Sequence, residues 1–314
     1  MGGLRVSNEV IYFKTETTYN TDPTPTTSDA ILVRNVSMQP EGLRMNQRGA
    51  VRASIGQLQE VYGGQLKRIT FECEVKGSGT AGTAPEIGPL LEACGMEETV
   101  VAVTSVTYAP ESAAHESGTI YYFEGGRKRH ILTGCRGTVR LAVEAGGILF
   151  AYFEFVGHHT EPTDQSLPSP TYDSSVPRAA VGMAISVNGV TAIVAKSWEW
   201  NLNNTIALPA SIAATDGYGE ILLTQRDVRG QVVIEAELDS VIDIDSLFSA
   251  GTRFAFASGT LGSVAGNRVV VSTPSSSTYV TNTTPGDADG LRLRTVEMAV
   301  DDSTPNQELS ISFT

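Results

Sequence analysis

Gly77, Gly79 and Gly82 form a G-x-G-x-x-G within the stretch KGSGTAGTAPEIGPLLEACG at 76–95, the spacing with which a dinucleotide-binding loop cradles a pyrophosphate. That chemistry needs a fully buried parallel strand before the loop and a helix that opens inside the motif. The run before the loop alternates instead, with Phe71, Cys73 and Val75 on one face and Glu72 and Glu74 on the other. Thr83, Ala84 and Pro85 separate the last glycine from the helix, and Glu97 or Glu98 precedes the next strand instead of closing it. No βαβ alternation follows. The loop therefore reads as a pliable tether to an interaction helix, and no cofactor is expected.

Other reactive residue types are equally unpromising. His158 and His159 are adjacent, so on a strand they point to opposite faces and cannot share one ion. His115 and His130 lack ligand spacing. DADG at 287–290 has the start of a calcium loop but no third carboxylate, and Met298 stands where the closing glutamate belongs, so it reads as an acidic turn. Arg127, Lys128 and Arg129 follow Gly125–Gly126 as the basic tip of a hairpin, either solvated or a protein contact. No G-x-S-x-G, H-E-x-x-H or P-loop lysine motif occurs. The expectation is a protein with no catalytic or metal-binding residues.

The elements around these residues belong to a mainly β chain. Of 314 residues 41% are hydrophobic and only 18% charged, with Gly, Thr, Ser and Val abundant, which favours short strands joined by turns. Acids outnumber bases 35 to 22, giving a net charge of −13, shared as 17 against 14 in residues 1–160 and 18 against 8 in 161–314. Such a chain repels phosphate, so DNA would pass it without specific binding. Cys73, Cys94 and Cys135 lie far apart with no C-x-x-C pair, which points to buried thiols in a reducing compartment. MGGLRVSNEVIYFKTETTYN has no apolar run of signal-peptide length, and no segment reaches transmembrane length, so no membrane partner is expected.

Residues 14–29 (KTETTYNTDPTPTTSD) read as a polar, extended arm. EPTDQSLPSPTYDSSVP at 161–177 carries four prolines and marks a linker, dividing the chain into 1–160, 161–177 and 178–314. The first part recurs in the second. ITFECEVKG at 69–77 matches VVIEAELDS at 232–240, and the helix ending at Gly95 matches the one ending at Gly251. TVRLAVEA at 138–145 matches TVEMAVDD at 295–302, and YFEF at 152–155 matches SISF at 310–313. The offsets lie between 156 and 163 residues, as a duplicated domain requires.

ETTYNTDPTPTTSDAILVRN at 16–35, GSGTAGTAPEIGPLLEACG at 77–95, LTGCRGTVRLAVEAG at 132–146, the DADG loop and the DQSLPSPTY linker together resemble the major tail tube proteins of long-tailed bacteriophages, in the two-domain form of Mu-like siphophages. The resemblance implies two tandem β-sandwich or barrel domains, each with a short helix, in a non-enzymatic virion component assembled in the host bacterial cytoplasm. It implies rings of three chains with pseudo-sixfold symmetry, stacked into a tube through which DNA leaves the capsid. The implied partners are further copies of the chain and other tail proteins: tape measure, terminator and distal tail protein. A terminator or tip subunit of the same fold is the near alternative. A carbohydrate-binding module is the distant one, resting on Trp198 and Trp200 sharing a strand face.

Within that frame Glu72 and Glu74, with Glu235 and Glu237 in the second copy, lie on a polar strand face opposite Phe71, Cys73, Val75, Ile234, Ala236 and Leu238. That face meets the DNA channel, a neighbouring ring or open solvent, with the channel as the expectation. Thr17, Thr18 and Tyr19 of the arm, Gly77, Gly79 and Gly82 of the loop, and Arg127, Lys128 and Arg129 are the candidate contacts between subunits or rings. Arm and loop are expected to be mobile until a neighbour orders them.

Overall fold

The computed structural model describes residues 9–314, so the first eight residues of segment 1–160 lie outside the described residues. The first half forms β1 (Val10–Thr15), β2 (Ala30–Ile31), β3 (Val33–Glu41), β4 (Met45–Asn46), β5 (Val61–Tyr62), β6 (Leu66–Glu74), α1 (Gly88–Glu92), β7 (Met96–Val101), β8 (Ser105–Pro110), β9 (Gly118–Glu124), β10 (Lys128–Glu144) and β11 (Phe150–Asp164). The second forms β12 (Ser186–Val187), β13 (Ala195–Asn201), β14 (Thr205–Ala207), β15 (Leu222–Gln225), β16 (Arg229–Glu235), α2 (Ile244–Ala250), β17 (Phe256–Ala257), β18 (Val269–Ser272), β19 (Thr278–Ala288), β20 (Leu291–Val300) and β21 (Ser310–Phe313). The protein is mainly β, as its composition dictates.

The largest sheet runs β19-β20-β16-β13-β10-β11-β6-β3, and a second runs β12-β17-β18-β21-β8-β7. They pack face to face. Alternation decides which side is inward: Phe71, Cys73 and Val75 are buried, as are Leu141, Val143, Trp198 and Trp200 across the neighbouring strands. These meet Val106, Tyr108, Phe256, Val271, Ile311 and Phe313 from the other sheet in one continuous core. Both sheets cross the middle of the chain. In the first, Leu141 stands opposite Trp200 and Val143 opposite Trp198; in the second, Ile311 stands opposite Tyr108.

A glycine follows each of the two short helices for a conformational reason. Asp243 caps α2 by accepting from the Ser246 N–H at 2.8 Å, and Gly251 closes it at φ 59°. Gly95 sits beyond α1 at φ 77°, a backbone position that costs glycine least. The 287–290 turn likewise has Asp289 at φ 55° and Gly290 at φ 78°, the left-handed pair that a two-residue hairpin needs.

Strands β10 and β11 are long because they serve two layers. A register shift between Thr133 and Arg136 bends them. Beyond it the first part of β10 pairs with β9, β9 with β1 and β1 with β2, around a second small core of Val10, Tyr12, Ala30, Tyr121 and Phe123. The proline-bearing segment starts inside β11, since residues as far as Asp164 pair with β10. From Gln165 to β12 the backbone is irregular, apart from a bridge between Ala179 and Ile148.

The repeat in the sheet is shifted from the one read in the sequence. β3, β6, β11 and β10 on one side of the junction follow the same spatial order as β13, β16, β20 and β19 on the other. β20 therefore takes the place of β11, not of β10, and SISF lies in the other sheet, pairing with β18 and β8. Adjacent strands carry the same two-residue period, so sliding the comparison by one strand leaves the apolar pattern intact. A second correction concerns the end of β16. Ala236 and Leu238 are not inward: the strand stops at Glu235, and Leu238 is 74% exposed.

Candidate functional site: the polar face and the open edges

The outer side of the large sheet is a ladder of charges built by strand alternation. Cross-strand neighbours share a face, so Glu72, Tyr152, Arg140, Asn201 and Arg229 form one row and Glu74, Phe150, Ala142, Glu199, Gln231 and Glu297 the next. Arg34 lies 2.7 Å from Glu72, whose other oxygen accepts from Asn35 Nδ2 at 3.0 Å. Lys196 lies 3.1 Å from Glu235. In both cases the cation comes from the neighbouring strand where that strand bulges, between Arg34 and Ser37 in β3 and between Ala195 and Ser197 in β13. The local construction is thus repeated down to the ion pair.

Arg140 adds a contact to Glu199 at 3.0 Å and stacks 3.9 Å over Tyr152, while Arg34 stacks 3.4 Å over Phe150. Arg68 bridges Glu41 and Glu154. A groove of about 300 Å³ runs between these side chains, lined by Glu72, Arg140, Tyr152, Glu154 and Asn201. Half-exposed pairs of this kind each contribute about 0–1 kcal/mol, so the ladder sets surface charge more than stability. Glu237 stands apart from the ladder, beyond the end of β16.

Both ends of the large sheet are open. Among the described residues β3 pairs only with β6 along one side, and β19 only with β20. Unpaired backbone edges invite another strand. Inside the chain the equivalent edges already meet: β10 and β13 pair from Arg140 opposite Asn201 to Glu144 opposite Ser197. By the repeated order, β19 matches β10 and β3 matches β13.

The arm is tied to its own chain, contrary to the expectation of mobility. Glu16 is buried, and its carboxylate accepts from Asn20 N–H at 2.7 Å, Ser117 Oγ at 2.7 Å, Thr119 Oγ1 at 2.6 Å and Gly134 N–H at 2.8 Å. Polar composition hid this because the ordering force is charge-assisted hydrogen bonding, not apolar burial. Replacing Glu16 with Ala strands four donors, and we expect a loss of about 3 kcal/mol or more in urea unfolding. Thr17 and Thr18 next to it are exposed.

Tyr19 joins three parts of the chain. With His158 Nδ1–H donated to Asp216 at 2.6 Å, Nε2 accepts the Tyr19 hydroxyl at 3.0 Å, and that oxygen accepts from Ile221 N–H at 2.7 Å. Burial pushes the Tyr19 phenol up to about 12. Arg136, also buried, reaches Glu220 at 2.8 Å and the Ile221 carbonyl at 2.6 Å. Neither Glu16 nor this cluster is visible in the sequence, since its members lie up to 202 residues apart.

The glycine loop is likewise no free tether. Gly77 N–H donates to Asn267 Oδ1 at 3.0 Å, and Gly79 N–H to the Gly266 carbonyl at 2.9 Å. A Cβ on Gly77 would collide with Gly266, and one on Gly266 would collide with Gly79. The glycines let two backbones touch, and Gly82, at φ 74°, lies equally close to Val103. The basic tip projects at the β9–β10 turn, where Lys128 stands opposite Glu124 and Arg129 lies 4.9 Å over the Tyr121 ring.

Two of the histidines meet nearby. His130 Nδ1 lies 3.5 Å from His159 Nε2, and His130 Nε2 lies 2.9 Å from Glu124. Burial first, then Lys67, His130 and Lys128, lowers His159 to about 4 from 6.5. Between those values the unfolded chain binds the extra proton, so stability falls as pH drops from 6.5 towards 4. His159→Gln should flatten that acid-side decline in unfolding midpoint. Among the described residues no group of three or more His, Cys, Asp or Glu side chains is placed to hold a metal ion. Trp198 and Trp200 are 2% and 0% exposed, so they build core and no sugar-stacking platform.

A family model described as phage tail tube protein matches residues 7–314. No curated protein matches the chain.

Proposed function

The chain belongs to the phage tail tube protein family, and from that premise we propose that it polymerises into stacked rings of three chains that form the tube for DNA ejection. The observation that carries the ring is the match between the open edges and the internal junction. If β19 of one copy meets β3 of the next as β10 meets β13, three copies of the eight-strand path close into a barrel of 24 strands. Each chain then acts as two tandem units, 1–160 and 178–314, related by about 60° for a pseudo-sixfold ring. The unequal charge of the halves, 17 acids to 14 bases against 18 to 8, keeps the true symmetry threefold.

In this reading the polar ladder is the channel wall. Glu72, Glu74 and Glu235 lie on it, and Glu237 rims it. Carboxylates outnumber guanidinium groups there, yet most are paired, so the wall repels phosphate weakly and offers no array of free cations to grip it. Its role is structural and not catalytic, and its neighbours in the virion are other tail proteins. Thr17, Thr18, Arg127 and Lys128, exposed or half-exposed, are the notable candidates for contacts between rings. A terminator or tip subunit would share the fold but would stop at a single ring.

The test is the mass of the assembled ring. Three chains of 33.3 kDa per ring are expected by native mass measurement. Six chains per ring would overturn the duplicated-unit reading.

A further inference from the structure

Of the five lysines in the chain only Lys76 is buried, 3% exposed where β6 passes into the glycine loop. Its Nζ lies 3.4 Å from Glu86 Oε2 and 4.0 Å from Asp173 Oδ2, and it donates to the Asp173 backbone carbonyl at 3.0 Å. Glu86 stands just before α1, whereas Asp173 belongs to the irregular segment 97 residues beyond Lys76. Val75 and Ile87, next to Lys76 and Glu86 in sequence, are buried as well. A lysine held out of water between two carboxylates is a costly way to fasten a segment, because the lost hydration of the charges offsets their attraction.

The surroundings hold both carboxyl groups in place. On either side of Asp173, Thr171 N–H donates to the Thr27 carbonyl at 2.9 Å, and Asn267 Nδ2 donates to the Val176 carbonyl at 2.7 Å. Ser175 N–H donates to Asp173 Oδ1 at 2.8 Å, and Oδ2 is the oxygen turned to the amine. Leu32 N–H donates to Glu86 Oε1 at 3.2 Å, and Oε2 faces the same Nζ. Burial, acting against the pull of Lys76, pushes the Glu86 carboxyl up, which suits it to carry a proton. An amine, a carboxyl carbon and a proton carrier are thus gathered on pinned backbone.

We propose that Lys76 and Asp173 condense into an intramolecular amide bond, with Glu86 moving the protons. The ammonium loses a proton to Glu86 Oε2, which passes it to Asp173 Oδ2. The neutral amine attacks Cγ, and Ser175 N–H meets the charge that develops on Oδ1. A second proton moves from nitrogen through Glu86 to Oδ2, the Cγ–Oδ2 bond breaks, and one water leaves. One C–N bond forms, one C–O bond breaks, and an ammonium and a carboxylate become a neutral amide with no further reactant. Holding the two groups together supplies what free reactants in water lack. The reaction runs once, within the chain, and does not depend on ring assembly. Its product ties the proline-bearing segment to the end of β6 and restricts the unfolded chain as a disulfide would.

The test is the intact mass of the full chain, denatured and reduced, followed by trypsin digestion. The expected mass is lower than that of the sequence by one water. Trypsin should leave Lys76 uncut and release residues 69–127 joined to 141–178 as one branched peptide. Full mass with a free 69–76 peptide would overturn the proposal. So would a water lost at Asp289–Gly290, where a cyclic imide leaves Lys76 cleavable. Glu86→Gln should keep the wild-type far-UV circular dichroism and the full mass; a bond at wild-type yield in that variant would overturn the role of Glu86. Lys76→Arg should also carry its full mass, and a missing water there would place the reaction elsewhere. The wild-type digest decides the bond even where a variant fails to fold.

Discussion

Replacing residues 285–294 by Asn-Gly should leave a folded, soluble chain that no longer forms rings. This stretch is the tip of the β19–β20 hairpin, and Gly286 through Arg292 are exposed, so removing it takes little from the core. Thr284 and Thr295 already stand opposite each other, and a two-residue turn can close the shortened ladder there. The tip holds the positions that match the β10 segment paired with β13: Gly286 for Arg140, Asp287 for Leu141 and Ala288 for Ala142. The shortened edge therefore lacks the residues that would receive the next copy. Size-exclusion chromatography with circular dichroism checks both halves of the expectation. Rings of normal yield would show that β19 is not the joining edge.

Trp200→Ala should destabilise the monomer by about 3–5 kcal/mol, a large part of the roughly 5–15 kcal/mol that a folded domain possesses. Trp200 is fully buried, lies 5.3 Å from the Phe256 ring, and covers Gly230, where any Cβ would collide with the indole. Its side chain spans the place where the halves meet, so neither half can repack alone around the hole. Denaturant unfolding should therefore show one transition, at lower midpoint, in fluorescence and circular dichroism alike. Two separate transitions would mean that the halves fold as independent units despite their shared core.

Much of this was legible in the residues. The alternation of ITFECEV, the W-E-W run and the glycine-terminated helices announced their own elements, because strand and helix periods are local properties. What failed to show was long-range. Which strand follows which in a sheet is not written in a two-residue period, and so β20 resembles β10 in sequence although it holds the place of β11 in the sheet. The end of β16 is hidden for a related reason: Ala236 and Leu238 continue the apolar alternation after the strand has stopped at Glu235. Glu16 and Tyr19 looked like parts of a loose arm because their partners, Gly134, His158 and Ile221, lie far along the chain. The glycine loop looked pliable for the same reason. Its glycines answer to Gly266, and a close approach of two backbones leaves no mark in either stretch alone. Ion pairing was also hidden: the carboxylates of the polar face stood out in the sequence, but the bulges that bring Arg34 and Lys196 to them did not.

The most direct measurement is electron cryomicroscopy of the assembled protein, at a resolution that traces the strands. The account predicts three chains around each ring, β19 of one chain hydrogen-bonded to β3 of the next, and Glu72 and Glu235 on the inner wall of the channel. A ring whose copies meet through other edges, or whose Glu72 and Glu235 face the outside, would contradict it.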